Sequence, residues 1–417
     1  MLFNTTFFIV LTVVVVVIIL VLLFFTPNKF ISKLVIYKFS KINESIKFFN
    51  KDKQIIFQCG GEETRNDTPV NVYIHVNEDL FFYRLFHHGE IGLGESFVEK
   101  WWDSDNLSRF LFILVLNNKL DNIKSGKSYW NKNVSFEYDK TSVCFHYDES
   151  NEFFMLFLKD SFNAYTCGFW SNDDDTLENA QLRKINFIIQ KMDVKPNSSI
   201  LDIGCGWGKV AEYIAKKTNS HCTGVTISNQ QELFIKDKCD PNFVSVINID
   251  YRFLTGSYDC IFSIGMFEHV RHENMDTFFN TIKRVLKPNG RFVLHTIVNN
   301  FYPYQKSFCT KHVFPGGQVP RIDWIEQSCK NNGLSIIHSE IFGGQHYART
   351  LRAWFNNLAE NEDVVKSKFS ESLFRKYQYY FNICEAAFLT NNMSLGHFII
   401  TNNNSVSLNN SFVYNTV

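Results

Sequence analysis

The stretch Ile200-Leu201-Asp202-Ile203-Gly204-Cys205-Gly206-Trp207-Gly208 constrains the fold more than any other part of the chain. A short run of β-strand character meets three glycines at alternate positions, and a helical pattern follows over 209–215. A buried strand that feeds a glycine turn and then a helix is the first unit of an open α/β sheet. Such sheets bind ligands at the carboxyl ends of their strands, where backbone can approach closely. The spacing is G-x-G-x-G and lacks the G-x-G-x-x-G of a dinucleotide fingerprint. It suits a nucleoside without a pyrophosphate, of which S-adenosylmethionine is the common example. A glycine-rich turn with no ligand is the plainer alternative.

A regular βα alternation extends from this point. Strands are expected at 200–203, 221–227, 243–248, 258–264 and 290–297, with helices at 209–217, 229–238 and 274–286. A turn at Lys287-Pro288-Asn289-Gly290 precedes the fifth strand, and two late strands are expected at 334–342 and 396–401. Seven strands of this kind, mostly parallel, make a doubly wound α/β domain. A helix from Leu177 to about Met192 leads into it, with the acidic stretch Ser171–Asp175 as its expected cap.

Upstream the character changes. Residues 7–25 read FFIVLTVVVVVIILVLLFF, with Thr12 the only polar position. As a helix this run spans about 28 Å, close to the hydrocarbon thickness of a bilayer. Neither a basic leader nor a small-residue cleavage site flanks it, so a cleaved signal peptide fits poorly. Lysines 29, 33, 38, 41 and 47 follow it, with no charge before it, which orients the remaining chain to the cytosol. Residues 1–28 are thus expected to form a transmembrane anchor, and 29–135 a small α+β domain. Strands there are expected at Val35–Tyr37, Gln54–Phe57 and Val70–Val76, and a helix at 108–120. The polar segment 120–133 reads as a linker, and the tail from Asn402 as disordered.

Composition excludes some functions. With 42 basic and 42 acidic residues there is no electrostatic bias towards nucleic acid. The ten cysteines contain no C-x-x-C pair, so neither a zinc site nor a disulfide framework is indicated. No metal is expected. The 43 phenylalanines suit an acyl-chain pocket, although most serve as plain core.

Further motifs stand out, four of them (GMFEHV, LHTI, FPGG and HYARTL) at loop positions on the carboxyl side of expected strands and FNICEAAF on a late helix. They are HYDESNEFF (146–154), YTCGFW (165–170), GVTIS (224–228), GMFEHV (265–270), LHTI (294–297), FPGG (314–317), HYARTL (346–351) and FNICEAAF (381–388). With LDIGCGWG they resemble the cyclopropane-fatty-acyl-phospholipid synthase family, which includes the mycolic acid cyclopropane synthases. The resemblance runs from about Gly89 to Thr401, and GEIGLGES (89–96) is similar to the N-terminal domain of the longer, bacterial-type phospholipid enzymes.

The resemblance implies a class I S-adenosylmethionine-dependent methyltransferase fold, a lipid-associated N-terminal domain and a catalytic domain at 136–401. It implies transfer of a methyl from S-adenosylmethionine to a cis double bond of a phospholipid acyl chain. Loss of a proton to a bound bicarbonate would then close a cyclopropane ring. By motif, the bicarbonate ligands would be Cys167, Glu268, His295, Tyr347 and Cys384, with a backbone contact from Ile264. A carboxylate beside bicarbonate requires a shared proton, so Glu268 should titrate high. The cofactor would be held by Asp202, Gly204, Gly206, Gly208, Thr226, Ser228, Gln231, Asp250, Tyr251 and Arg252, with Tyr165 and Thr166 over its methionine end. The family's long members are dimers, which implies a homodimer by analogy.

Three positions depart from the family pattern: Ala348, where aspartate is common, and Glu385-Ala386, where Ala-Gly is common. A membrane anchor is also unusual among the family's bacterial members. A methyltransferase that stops at a branched chain, or that methylates a lipid head-group or amine, is the runner-up. A catalytically dead, membrane-anchored lipid-binding module is the alternative outside the enzymes. The segment 301–320 is expected to form a lid that meets the bilayer surface.

Overall fold

The computed structural model describes residues 27–60, 72–118, 150–299 and 307–402. The anchor expected at 7–25, the linker at 120–133, the start of the 301–320 lid and the tail beyond 402 lie outside the described residues. Among the described residues no helix is long and apolar enough to cross a membrane. The chain divides into two compact units, residues 1–127 and 128–417.

The first unit is built on a four-stranded sheet of order β2-β1-β3-β4, formed by β1 (Ile46–Phe49), β2 (Ile55–Cys59), β3 (Val72–Val76) and β4 (Trp102–Ser104). β3 alternates buried and open positions, as its VYIHV pattern predicts. Val35–Tyr37, expected as a strand, instead belongs to helix α1 (Pro27–Phe39). The physical reason is spacing. Val35 and Phe39 are both buried four residues apart, with half-buried Ile31 one turn earlier, and that period outweighs a three-residue β-branched run. Helices α2 (Phe81–Val98) and α3 (Leu107–Leu116) complete the unit, α2 breaking at Gly89 with φ 56°.

In the second unit the expected alternation is present. It comprises β5 (Ser199–Ile203), α6 (Lys209–Thr218), β6 (His221–Thr226), α7 (Asn229–Lys238), β7 (Val244–Asn248), β8 (Tyr258–Ile264), α8 (Met275–Val285) and β9 (Leu286–Val298). Helices α4 (Asn151–Leu158) and α5 (Leu177–Met192) precede them. After β9 come α9 (Phe308–His312), α10 (Ile322–Asn331), β10 (Ser335–Phe342), α11 (Gln345–Glu360), α12 (Glu362–Lys368), α13 (Glu371–Leu389) and β11 (Ser394–Thr401). The sheet order is β10-β11-β9-β8-β5-β6-β7. Five strands are parallel, and β11 runs antiparallel to both β9 and β10. Apolar clusters cover both faces, one around Phe278, Phe292 and Phe398, the other around Ile188, Ile214 and Phe262.

Two local expectations shift. β9 begins at Leu286, and Lys287–Gly290, read as a turn, bulges from it. Tyr258 pairs with Leu286 while Cys260 pairs with Arg291, which leaves Pro288 outside the ladder. The cap of α5 is Thr176, whose hydroxyl accepts from Asn179 N at 3.2 Å. Asp175 is turned instead towards Arg183, at 2.7 Å.

Candidate active site

A cavity opens at the carboxyl ends of β5, β6 and β8, beside the point where the strand order reverses. Tyr165, Thr166, Asp202, Gly204, Gly206, Thr226, Gln231, Asp250, Tyr251, Arg252 and Ile264 line it. Gly208 and Ser228, expected among the cofactor residues, are not in its lining. Gly208 precedes α6, where a Cβ would lie 2.8 Å from Ile235. Ser228 caps α7, its hydroxyl accepting from Gln231 N. Trp207, Met266 and His269, outside the expected set, also line the cavity. The signal was present, since each lies inside a quoted motif. Burial pushes His269 down to about 4, so it is neutral at physiological pH.

The glycines divide the work. Gly204 has φ 86°, and a Cβ there would stand 2.5 Å from Met266 Cβ. Gly206 has φ 52°, but a Cβ there would meet nothing within 4 Å. The first glycine allows close packing and the second leaves a hollow where a ligand fits. Asp202 is buried at the end of β5, and burial alone raises its pKa well above the carboxylate range. A cation entering the cavity would give it the partner that favours its charged form.

The YTCGFW segment is fastened from two sides. From α5, Gln181 donates to Thr166 O at 2.8 Å and buried Lys184 donates to the Thr166 hydroxyl at 2.6 Å. From α11, the Thr350 hydroxyl accepts from Gly168 N and from Trp170 Nε1, both at 3.0 Å, and donates to His346 O at 2.8 Å. Cys167 and Phe169 pack with Leu395, Phe342 and Tyr347, and Phe169 stands edge-on to His295 at 6.2 Å. Burial pushes the Cys167 thiol up to about 12, so it is a neutral group and no nucleophile.

Glu268 sits on a short turn between β8 and α8. Its Oε1 accepts from Ile297 N at 2.7 Å, and its carbonyl accepts from Gln318 N at 2.7 Å, which ties the GMFEHV, LHTI and FPGG motifs together. The backbone amide bonded to this carboxyl is that of Ile297; Ile264, expected to offer the bicarbonate a backbone contact, lines the cavity. Glu268 Oε2 and His295 Nε2 are both buried and, among the described residues, without a hydrogen-bond partner. Burial pushes Glu268 up to about 7. Two adjoining motifs thus each keep an unsatisfied polar atom, an arrangement that costs free energy unless a ligand completes it.

Residues 135–398 match the family model described as mycolic acid cyclopropane synthetase. The chain belongs to this family. It is 34% identical over 345 residues to the cyclopropane-fatty-acyl-phospholipid synthase of Escherichia coli K12, covering 77% of this chain and 86% of that one. Among solved structures it is similar to the cyclopropane synthase MmaA2 from Mycobacterium tuberculosis, with TM-score 0.60, 30% identity and coverage of 63% and 97%. The mycolic acid cyclopropane synthase CmaA1, solved with SAH and CTAB, gives TM-score 0.59 at 29% identity, with the same coverage. The chain is accordingly an S-adenosylmethionine-dependent methyltransferase of the cyclopropane synthase family.

The remaining family-implied residues lie on helices. Tyr347 stacks on Phe388 of α13 at 4.4 Å and 9°. The Tyr165 hydroxyl donates to that of Tyr380 at 3.3 Å, and Cys384 and Tyr347 act electrostatically on the same deeply buried Tyr380. Cys384 also touches Cys309, at 3.6 Å between sulfurs. Of the departures from this cyclopropane synthase pattern, Glu385 has a plain role. Its carboxylate pairs with Arg352 and ties α13 to α11, with Arg352 Nε at 3.0 Å. Ala348 is simply buried in α11.

Proposed function

We propose that the chain transfers a methyl group from S-adenosylmethionine to a cis double bond of a phospholipid acyl chain and closes a cyclopropane ring, with a bound bicarbonate as proton acceptor. One observation carries this reading: two buried, unsatisfied atoms, Glu268 Oε2 and His295 Nε2, in motifs next to the cofactor cavity. A small oxyanion bearing one hydroxyl suits them, since the hydroxyl can donate to Glu268 while an oxygen accepts from His295. When bound, S-adenosylmethionine supplies an electrophilic methyl and bicarbonate supplies a base for one proton.

The chain's own residues would do the rest. Gly204 and Gly206 admit the cofactor, and Asp202 balances its positive charge. Phe314, in ring contact with both Tyr165 and Tyr380, offers with them aromatic faces that would stabilise a substrate cation and exclude water. Cys167, Tyr347 and Cys384 would complete the anion site. The N-terminal unit and the apolar run at 7–25 would hold the enzyme at the membrane that carries its substrate, with the catalytic domain cytosolic and the protein a homodimer.

Glu268→Gln tests this directly. Ring formation in membranes of expressing cells, read as a gain of one CH₂ per unsaturated chain, should vanish while S-adenosylmethionine affinity stays within about twofold, because the carboxyl faces the proton acceptor and not the adenosine. Chromatography distinguishes ring from branch. Retained ring formation, or lost cofactor binding, would overturn the assignment.

A further inference from the structure

The sheet register places three polar residues in one row. Glu340 on β10 is the cross-strand partner of His397 on β11, and His397 is the partner of His295 on β9. Lys191, from the last turn of α5, lies over this row. Its ammonium is 2.5 Å from Glu340 Oε2 and 2.5 Å from His397 Nδ1. His397 Nε2 is 2.7 Å from His295 Nδ1. His295, His397 and Lys191 are each no more than 1% exposed, whereas Glu340 reaches the half-buried edge strand. None of the motif residues predicts Lys191 or His397.

The directions of these hydrogen bonds follow from elementary inventory. An ammonium has donors only, so His397 Nδ1 must accept. Burial and the neighbouring lysines depress both histidines, so each ring is neutral and carries one proton. His397 therefore carries its proton on Nε2 and donates it to His295 Nδ1. His295 is left with its own proton on Nε2, the atom that has no partner among the described residues.

We infer that Lys191 and His397 are positioning residues that hold His295 as the Nε2–H tautomer, so that it presents a donor to the anion beside Glu268. The inference rests on the bicarbonate reading for the identity of that anion, but the tautomer itself does not. Glu340 anchors the other end by keeping Lys191 charged. Without the row, His295 could place its lone pair towards the site and repel an oxyanion.

The test uses full-length protein labelled with ¹⁵N-histidine, the His295 signals being assigned by their loss in His295→Gln. Two-bond ¹H–¹⁵N spectra should show His295 protonated on Nε2. His397→Gln should keep that tautomer, because a carboxamide can accept from Lys191 and donate to His295. His397→Leu and Lys191→Met should lose it. In carbonate-depleted buffer, the bicarbonate concentration for half-maximal rate should rise about tenfold or more in the Leu and Met variants, as outer-sphere losses commonly cost. It should stay within about threefold in the Gln variant, with the KM for S-adenosylmethionine unchanged in all three. A wild-type His295 protonated on Nδ1, or a tautomer indifferent to both Leu and Met changes, overturns the inference; should those variants fail to fold, the wild-type and Gln spectra still decide. If the tautomer is as stated but wild-type rate ignores bicarbonate, the row stands and the bicarbonate reading falls.

Discussion

Glu268 combines a hydrogen-bonded oxygen with a buried, unsatisfied one, and this has a stability consequence. Its carboxyl moves from an ordinary 4.5 to about 7 because burial penalises the charge. Between those pH values the folded chain holds a proton that the unfolded chain has released. The group's contribution to stability therefore falls as pH rises from about 4.5 to 7 and stays low above. Glu268→Gln removes this loss. Relative to wild type, the variant should gain about 2–3 kcal/mol between pH 4.5 and 8, at 1.36 kcal/mol per pKa unit. Thermal unfolding in carbonate-free buffer measures it, and an equal difference at both pH values would refute the shift. The residue itself was legible from its motif. Its chemical state was not, because burial depends on β9 and on the FPGG loop, both brought in from elsewhere in the chain.

Among the elements, α11 and the YTCGFW segment depend on one hydroxyl. Thr350 satisfies Gly168 N and Trp170 Nε1, and itself donates to His346 O. Thr350→Val keeps the shape but strands two buried donors, so it should cost about 2–3 kcal/mol in unfolding free energy. Thr350→Ser should recover most of that, and equal stability of the Val and Ser variants would show that shape alone matters. Thr350 belongs to the HYARTL motif, yet the two donors it satisfies lie 180 and 182 residues away in the chain, and no local pattern names them. The same limit explains the other differences. The α/β alternation from 199 to 264 was readable because period and turn chemistry agree there. Val35–Tyr37 reads as a strand because a short β-branched run imitates one when the burial of its neighbours is unknown. Lys191 and His397 carry no signal in the sequence because a lysine on a helix and a histidine on a strand acquire meaning only when the fold sets them together.

For the whole molecule, the first question is how the enzyme meets its lipid. The proposed N-terminal anchor rests on the apolar run at 7–25 and the lysines after it. The full chain should remain in the membrane pellet through an alkaline carbonate wash, and removal of residues 1–26 should release it to the supernatant. Extraction of the intact chain by that wash would dispose of the anchor.

Strand β11 has a consequence in time. It is the last described strand, every one of its eight residues is buried, and it sits between β9 and β10. During synthesis both flanking strands must wait, with a slot open between them, until this segment leaves the ribosome. His397 arrives with that segment, so the tautomer row and the finished sheet are completed by the same late event. A nascent chain can thus assemble its glycine loop well before the proposed anion site is complete, and a message cut short before codon 394 would yield a protein lacking both the closing strand and His397.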